Sequence, residues 1–445
     1  MTKARHTANL VDANGDIKSA ALDNVPNEVT VSSSAPGSPS EGDLWYDTTN
    51  KVLKNYDTAV GGFIKVAAEP AVLSSISGTL YRGQASNLTL SGIGFLTSGL
   101  VVNFLQTDDS IDANVTVTPT SDTAATVAVP SAVYSNVTVG RVVTIKVTNS
   151  DSRTSGNVTT TAVTAPYSVD FLVIAGGGSG GGSESNSAGG GGAGGYRNSY
   201  NNETSGGGAS SETALTFTSG TVYTVTVGGG GAAVSQNTGN KGSNSSISGS
   251  GITTITSEGG GFGASQNHGG NGGSGGSGGG ACYDAGSNAK TGGSGTSGQG
   301  YDGGDKENSG SSMAAGGGGA SEEGVSATTS AQEGRGGHGR TSSITGSSVQ
   351  RAGGGGGSDE NGTQGGTGGN GGGGNGGGYN GTANTGGGGG GINNTTNNSG
   401  AGGSGVVILR MPTASYSGTV TGSPTVATSG SDTIVTFTGD GSITG

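Results

Sequence analysis

Adjacent carboxylates stand at Glu322-Glu323 and at Asp359-Glu360, and they are the first residues that could do acid–base work. Cleaving a glycosidic bond takes two carboxyl groups facing each other across a rigid cleft, one as acid and one as base or nucleophile. Sequence neighbours on a strand point to opposite faces, so both pairs read as solvated loop charges. Asp108, Asp109 and Asp112 carry oxygen ligands that a hard cation would take, and they read as a solvated acidic loop. His6, His268, His338 and the single Cys282 leave little for a zinc site, and one cysteine makes no internal disulfide. The patterns GxGxxG and GxSxG occur by glycine content alone, and no GK[ST] closes a phosphate loop. Neither catalytic residue, cofactor nor metal is expected, so the chemistry to look for is that of binding.

Any binding surface must be positioned by an unusual chain. Of 445 residues 102 are glycine, and 84 of these fall in the 230 positions from 176 to 405. Eighteen Lys+Arg against thirty Asp+Glu give a net charge of -12 without a basic stripe, which argues against nucleic acid. No apolar stretch approaches the ~20 residues of a membrane helix. The opening MTKARHTANLVDANGDIK is polar throughout, so no secretory signal is expected. A surface of Ser, Thr, Asn and Gly on a chain without an export signal suits a virus particle, assembled inside a cell and released by lysis.

Four sections precede the C-terminus. Residues 1 to 33 lack helical or strand period and read as a docking arm. Over residues 34 to 68, Leu44-Trp45-Tyr46, Val52-Leu53-Lys54 and Phe63 to Val66 read as a three-stranded meander. Three strands bury too little to stand alone, so an exposed Leu44, Trp45 and Phe63 are expected to assemble the chain into an oligomer. The pattern GDLWYDTTN…LK.Y resembles a small meander of bacteriophage tail-fibre and other virion proteins. Residues 69 to 166 hold seven short strands: Val72 to Ser77, Asn87 to Leu90, Leu100 to Leu105, Val115 to Thr118, Thr126 to Val129, Val142 to Val147 and Val158 to Val163. That spacing predicts an antiparallel immunoglobulin-like sandwich. SISGTLYRGQASNLTLSGIGF and VTIKVTNSDSRTS resemble domains of the IPT/TIG type, which implies a spacer or scaffold.

Residues 167 to 411 form the glycine domain. Between Ala264 and Gly405 its only large aliphatic side chains are Val325, Ile344, Val349 and Ile392, too few for a hydrophobic core. Collagen is excluded because there is no G-X-Y period and no proline between Pro166 and Pro412. The calcium-binding nonapeptide roll is excluded by the scarcity of Asp. Two readings remain, a flexible linker and a stack of polyglycine II helices with three residues per turn. Side-chain-free backbones in a stack approach closely enough to hydrogen-bond in several directions, which satisfies each buried N–H and C=O. The strands FLVIA and VVILRM at the two ends of the block are expected to pair and clamp it. The fold class is therefore all-β plus a polyglycine II stack.

The succession VDFLVIAGGGSGGG…GGGGAGGYR…YTVTVGGGG…GGSGVVILRMP resembles the glycine-rich domain of phage tail fibres and tip adhesins over about 240 residues. That resemblance implies a virion fibre protein, most simply a homotrimer, joined to tail or baseplate proteins by its N-terminus and presenting loops to a protein or glycan receptor on the host. Alternatives are a structural fibre or decoration subunit and a glycan depolymerase. If the runs 269–280, 292–300, 316–319, 353–357, 362–378 and 386–391 alternate in direction, loops 281–291, 320–352 and 379–385 share one end. That end would carry the receptor candidates Tyr283, Tyr379, His338 and Arg340; loops 264–268, 301–315, 358–361 and 392–399 would lie at the opposite end, with Tyr301 among them as rival. Tyrosine and arginine are favoured anchors. Residues 412 to 445 alternate like further strands. In the resembled family such a piece precedes the FLVIA strand, so its partner is open.

Overall fold

Strict alternation sends every second side chain of Leu100–Gln106 and Val142–Asn149 into a closed interior. The computed structural model describes residues 29–49, 52–65, 71–96, 99–106, 111–149, 156–184, 186–283, 289–307, 313–328, 334–360, 365–394 and 396–445. The chain divides into two units, Met1–Val163 and Thr164–Gly445.

In the first unit, β1 (Thr30–Ser32), β2 (Leu44–Asp47), β3 (Val52–Asp57) and β4 (Gly62–Lys65) lie side by side in that order. The meander thus has a fourth strand, β1, running parallel to β2. Trp45 is not exposed as expected but 6% accessible. Lys54 Nζ sits 4.4 Å from its ring centre, Phe63 meets it edge-on at 5.3 Å, and its Nε1 donates to the Ser32 carbonyl at 3.2 Å. Phe63 and Leu44 are half-buried. The open face is the other one, where alternation and register place Leu44, Tyr46, Leu53, Ile64 and Val31 together.

β5 (Val72–Ser77), β6 (Tyr81–Arg82), β7 (Asn87–Ile93), β8 (Leu100–Gln106), β9 (Ile111–Val117), β10 (Ala124–Ala128), β11 (Val142–Asn149), β12 (Val158–Thr161) and β13 (Val163–Thr164) follow. The orders β10-β7-β5 and β12-β11-β8-β9 make the two antiparallel sheets of an immunoglobulin-like sandwich. Leu88, Leu90, Val102, Phe104, Val143 and Ile145 fill its core. Asp108 and Asp109 lie outside the described residues, while Asp112 accepts a hydrogen bond from Asn103 Nδ2 at 2.5 Å.

The second unit has a strand base and a glycine stack. Its strands are β14 (Tyr167–Ile174), β15 (Gly182–Ser183), β16 (Tyr196–Asn198), β17 (Leu215–Phe217), β18 (Val222–Thr226), β19 (Ser245–Gly249), β20 (Ile255–Ser257), β21 (Arg340–Ser342), β22 (Val349–Arg351), β23 (Ile392–Asn393), β24 (Val406–Pro412), β25 (Val420–Thr421), β26 (Thr425–Ser429), β27 (Asp432–Phe437) and β28 (Gly441–Thr444). FLVIA and VVILRM do pair, in β14 and β24, with Phe171 opposite Leu409 and Val173 opposite Val407. One base sheet runs β16-β14-β24-β27-β26, the other β20-β19-β18-β28-β25. The C-terminal segment therefore pairs within its own chain, β27 on β24 and β28 on β18. Val169, Phe171, Val173, Phe217, Tyr223, Val407, Leu409 and Phe437 are buried in the core of this base. Each large apolar side chain buried there contributes about 1.5–3 kcal/mol. The alternate residues Leu172 and Ile174 pack with Tyr196, Ile344 and Ala352, so β14 is covered on both faces.

Above the base the hydrogen bonds repeat every third residue. In the run 176–182, Gly176, Ser179 and Gly182 donate to Ser243, Asn240 and Asn237; Gly177 and Gly180 to Gly403 and Gly400; Gly178 and Gly181 to Gly192 and Gly189. Carbonyls of the same run accept from Gly260 and Gly263, from Gly231, and from Gly389 and Ile392. Three residues per turn with a different neighbour on each face is the polyglycine II arrangement. The run 187–195 is likewise surrounded on all sides and fully buried. A Cβ at its Gly191 would stand 2.2 Å from the Gly178 carbonyl oxygen, so only glycine fits there.

Candidate functional site

Because each run is bonded in register to its neighbours, its direction can be followed. Run 176–182 climbs away from the base, 187–195 descends antiparallel to it, and 258–264 climbs again. The long run 269–280 does not continue in one direction. Gly273 and Gly276 donate to Phe262 and Gly259 on the way down; Ser277 and Gly280 donate to Ala193 and Gly190 on the way up; Gly279 donates to Gly273 across the hairpin at 2.9 Å. Run 362–378 also doubles back, at Gly371 and Gly372, whose φ of 96° and 102° suits glycine alone. Residues 320–352 are not one loop, since Gly324 and Ala327 bond upward along Asp302 and Asp305, and Gly337 and Gly354 pair on the return.

These reversals redistribute the expected loops. At the end remote from the strand base lie the connections 183–187, 234–238, 265–270, 283–289, 307–313, 328–334, 358–365, 378–379 and 393–399, so far as they are described. Tyr283 and Tyr379 do share this remote end, and Tyr379 is 64% exposed. His338 and Arg340 do not join them: they lie at the base end, as Tyr301 does.

His338 Nδ1 accepts the Asn370 N–H at 3.0 Å, and its ring nitrogens contact Arg335 Nη1. Arg340 donates from Nη1 to Thr204 Oγ1. Tyr301 is half-buried, its hydroxyl against Gly208. Glu322, expected to be a solvated loop charge, is 42% exposed and pairs there with Arg335 at 2.8 Å. Hydrogen bonds from Arg335 hold its carboxyl below the usual range. Among the described residues no group of three or more His, Cys, Asp and Glu gathers as a metal site, and no helix is long and apolar enough to cross a membrane.

Around the two tyrosines the remote end presents side chains that the loop count did not bring to them. Asn237, Asn267, His268, Thr396, Asn397 and Asn398 are exposed, with Gln236 and Gln266 partly so. Amides offer both donors and acceptors, and tyrosine adds rigid contact area. The signal for most of them was in the sequence as the polar breaks 264–268 and 392–399, which a wrong count of reversals assigned to the opposite end. Nearby, Lys306 is 3% exposed; burial lowers its pKa, and its Nζ donates to the Glu307 carbonyl at 3.1 Å.

Strand base, main-chain lattice and gathered connections together define a glycine-rich, polyglycine-helix protein. The chain belongs to the family described as a glycine-rich domain, whose sequence model matches residues 152–412. No curated protein and no solved structure matches it.

Proposed function

We propose that this chain is a bacteriophage virion fibre protein that recognises the host surface with the remote end of its glycine stack. The supporting observation is the segregation of the stack. The two large sheets and the C-terminal segment occupy one end, while exposed amides, His268 and the two tyrosines occupy the other. The receptor is a protein or glycan, and the chain acts by binding rather than catalysis. In this reading the sandwich of residues 69–166 is an IPT/TIG-like spacer, and the N-terminal arm joins tail or baseplate proteins. The open meander face of Leu44, Tyr46, Leu53 and Ile64 joins three copies. Purified chain should coat host cells and block adsorption of the particle that carries it. A particle that contains the chain, yet whose adsorption the free chain never competes, would make it a structural fibre subunit.

A further inference from the structure

Several connections at the remote end converge on Ser183. Its carbonyl accepts the Asn394 N–H at 3.1 Å, and its hydroxyl donates to Gln266 Oε1 at 3.4 Å. Beside it, Gly182 donates to the Asn237 carbonyl at 2.9 Å and accepts from Ser265 Oγ at 2.7 Å. The Val234 N–H donates to Ser399 Oγ at 3.1 Å, and Asn393 Nδ2 donates to the Glu360 carbonyl. A Cβ at Gly378 would stand 2.8 Å from the Asn398 carbonyl oxygen, so Tyr379 starts beside that residue. The connections 183–187, 234–238, 265–268, 358–360, 378–379 and 393–399, so far as they are described, are thus held in one patch.

The chemistry of that patch is uneven. Among its described residues the charge-bearing side chains are Glu184, Asp359, Glu360 and His268, with neither lysine nor arginine. Glu184 and Glu360 are exposed, and acids without a cation beside them repel an anionic ligand. The core of a protein interface is built on apolar, aromatic and arginine anchors. Tyr379 is the one large exposed hydrophobic side chain that the patch offers. What it has in quantity is amide. A sugar hydroxyl both donates and accepts, the exposed amides of Asn237, Asn267, Asn397 and Asn398 do the same, and Glu184 adds an acceptor. The Tyr379 ring supplies a flat apolar surface for the C–H face of a pyranose.

We propose that this patch binds an uncharged polyhydroxylated ligand, the neutral sugar chain of a surface glycan, rather than a protein or an acidic polymer. This rests on the reading of the remote end as the receptor-binding face, and it decides between the two receptor classes left open there.

Host cells are treated either with protease or with periodate, which cleaves vicinal diols, and binding of the labelled full chain is measured on each. Binding should survive protease and fall to background after periodate. Polysaccharide extracted from the host and split by anion exchange tests the charge, since the neutral fraction should compete and the acidic one should not. Tyr379→Ala should weaken binding about tenfold, whereas Tyr379→Phe, which keeps the ring, should bind like the parent. Binding that is lost to protease and resists periodate, or that only the acidic fraction competes, overturns the proposal. If Tyr379→Ala is defective in that case, the remote end is still the contact face. A chain that binds no untreated cell overturns the receptor reading, and this proposal with it.

Discussion

Gly191→Ala tests the main-chain lattice with one methyl group. The added Cβ would stand 2.2 Å from the Gly178 oxygen, 2.7 Å from the Gly178 carbonyl carbon and 2.8 Å from the Ser179 carbonyl carbon. Relief requires a shift of roughly 1 Å between two runs, since an ordinary carbon–oxygen contact is about 3.3 Å. Run 187–195 has neighbours on every side, so moving it from one strains the others. The bonds at stake are Gly178 N–H to Gly192 O at 2.9 Å, and Gly191 N–H to Gly389 O and Gly355 N–H to Gly191 O at 2.8 Å each. Overpacking costs about 1–3 kcal/mol, and each buried group left without its partner about 1–3 kcal/mol more. With two such groups lost the total is about 3–9 kcal/mol, comparable to the whole stability of an ordinary domain. The companion substitution is Gly229→Ala. Gly229 is exposed, and nothing lies within 4 Å of its Cβ position. It should be neutral or stabilise by about 0.4–1 kcal/mol. Calorimetric melting of both variants in the full chain is the assay. If Gly191→Ala melts with the parent, the close-packed lattice is wrong and the glycine runs behave as linker.

Combined Tyr283→Ala and Tyr379→Ala should weaken adsorption of the assembled particle by about thirtyfold or more, whereas Tyr301→Ala, at the base end, should leave adsorption unchanged; the reverse pattern would move the contact face. Leu53→Asp with Ile64→Asp, on the open meander face, should convert a sedimenting trimer to monomer, and an unchanged sedimentation coefficient would remove that face from the interface. Glu322 has a folded pKa below the 4.5 of the free side chain, chiefly through hydrogen bonds from Arg335, so its contribution to stability is present above pH 4.5 and is lost as pH falls through the lowered value. The melting temperature should therefore fall less between pH 4.5 and the acid limit in Glu322→Gln than in the parent, and equal slopes would exclude this pair as a source of acid sensitivity.

The strands of the sandwich, the pairing of FLVIA with VVILRM and the polyglycine stack were legible because each leaves a periodic or compositional mark. Leu100–Gln106 was read to within one residue, since alternating side chains register which face is buried. Trp45 was misjudged because its partners are Ser32, in a strand too short to be recognised, and the Lys54 ammonium over its ring. The reversal within 269–280 was invisible for a deeper reason. A glycine at a turn and a glycine in a run are the same residue, and Ser274 and Ser277 are no different from serines buried inside runs, such as Ser179. His338 and Arg340 were placed at the wrong end because the ascending run 301–307, bonded to 278–281 and 290–293, was taken as part of a loop. That run, with two glycines in seven residues, is set by its bonds to neighbours rather than by composition.

The lattice above the base has one property that side-chain cores lack. In a hydrophobic core each residue fits a particular hole, so exchanging a segment spoils its neighbours. Here the mating surfaces are mostly peptide groups, which are identical at every position. Away from side-chain contacts such as Ser179 Oγ with the Asn240 N–H, a run's place is defined by its length and direction. One ascending run could be exchanged for another of equal length without redesigning anything beside it. A climbing and a descending run could be inserted together at the rim, carrying a new loop to the remote end. The connections at that end are thereby freed from the demands of folding, and their sequences can diversify while the scaffold beneath them stays the same.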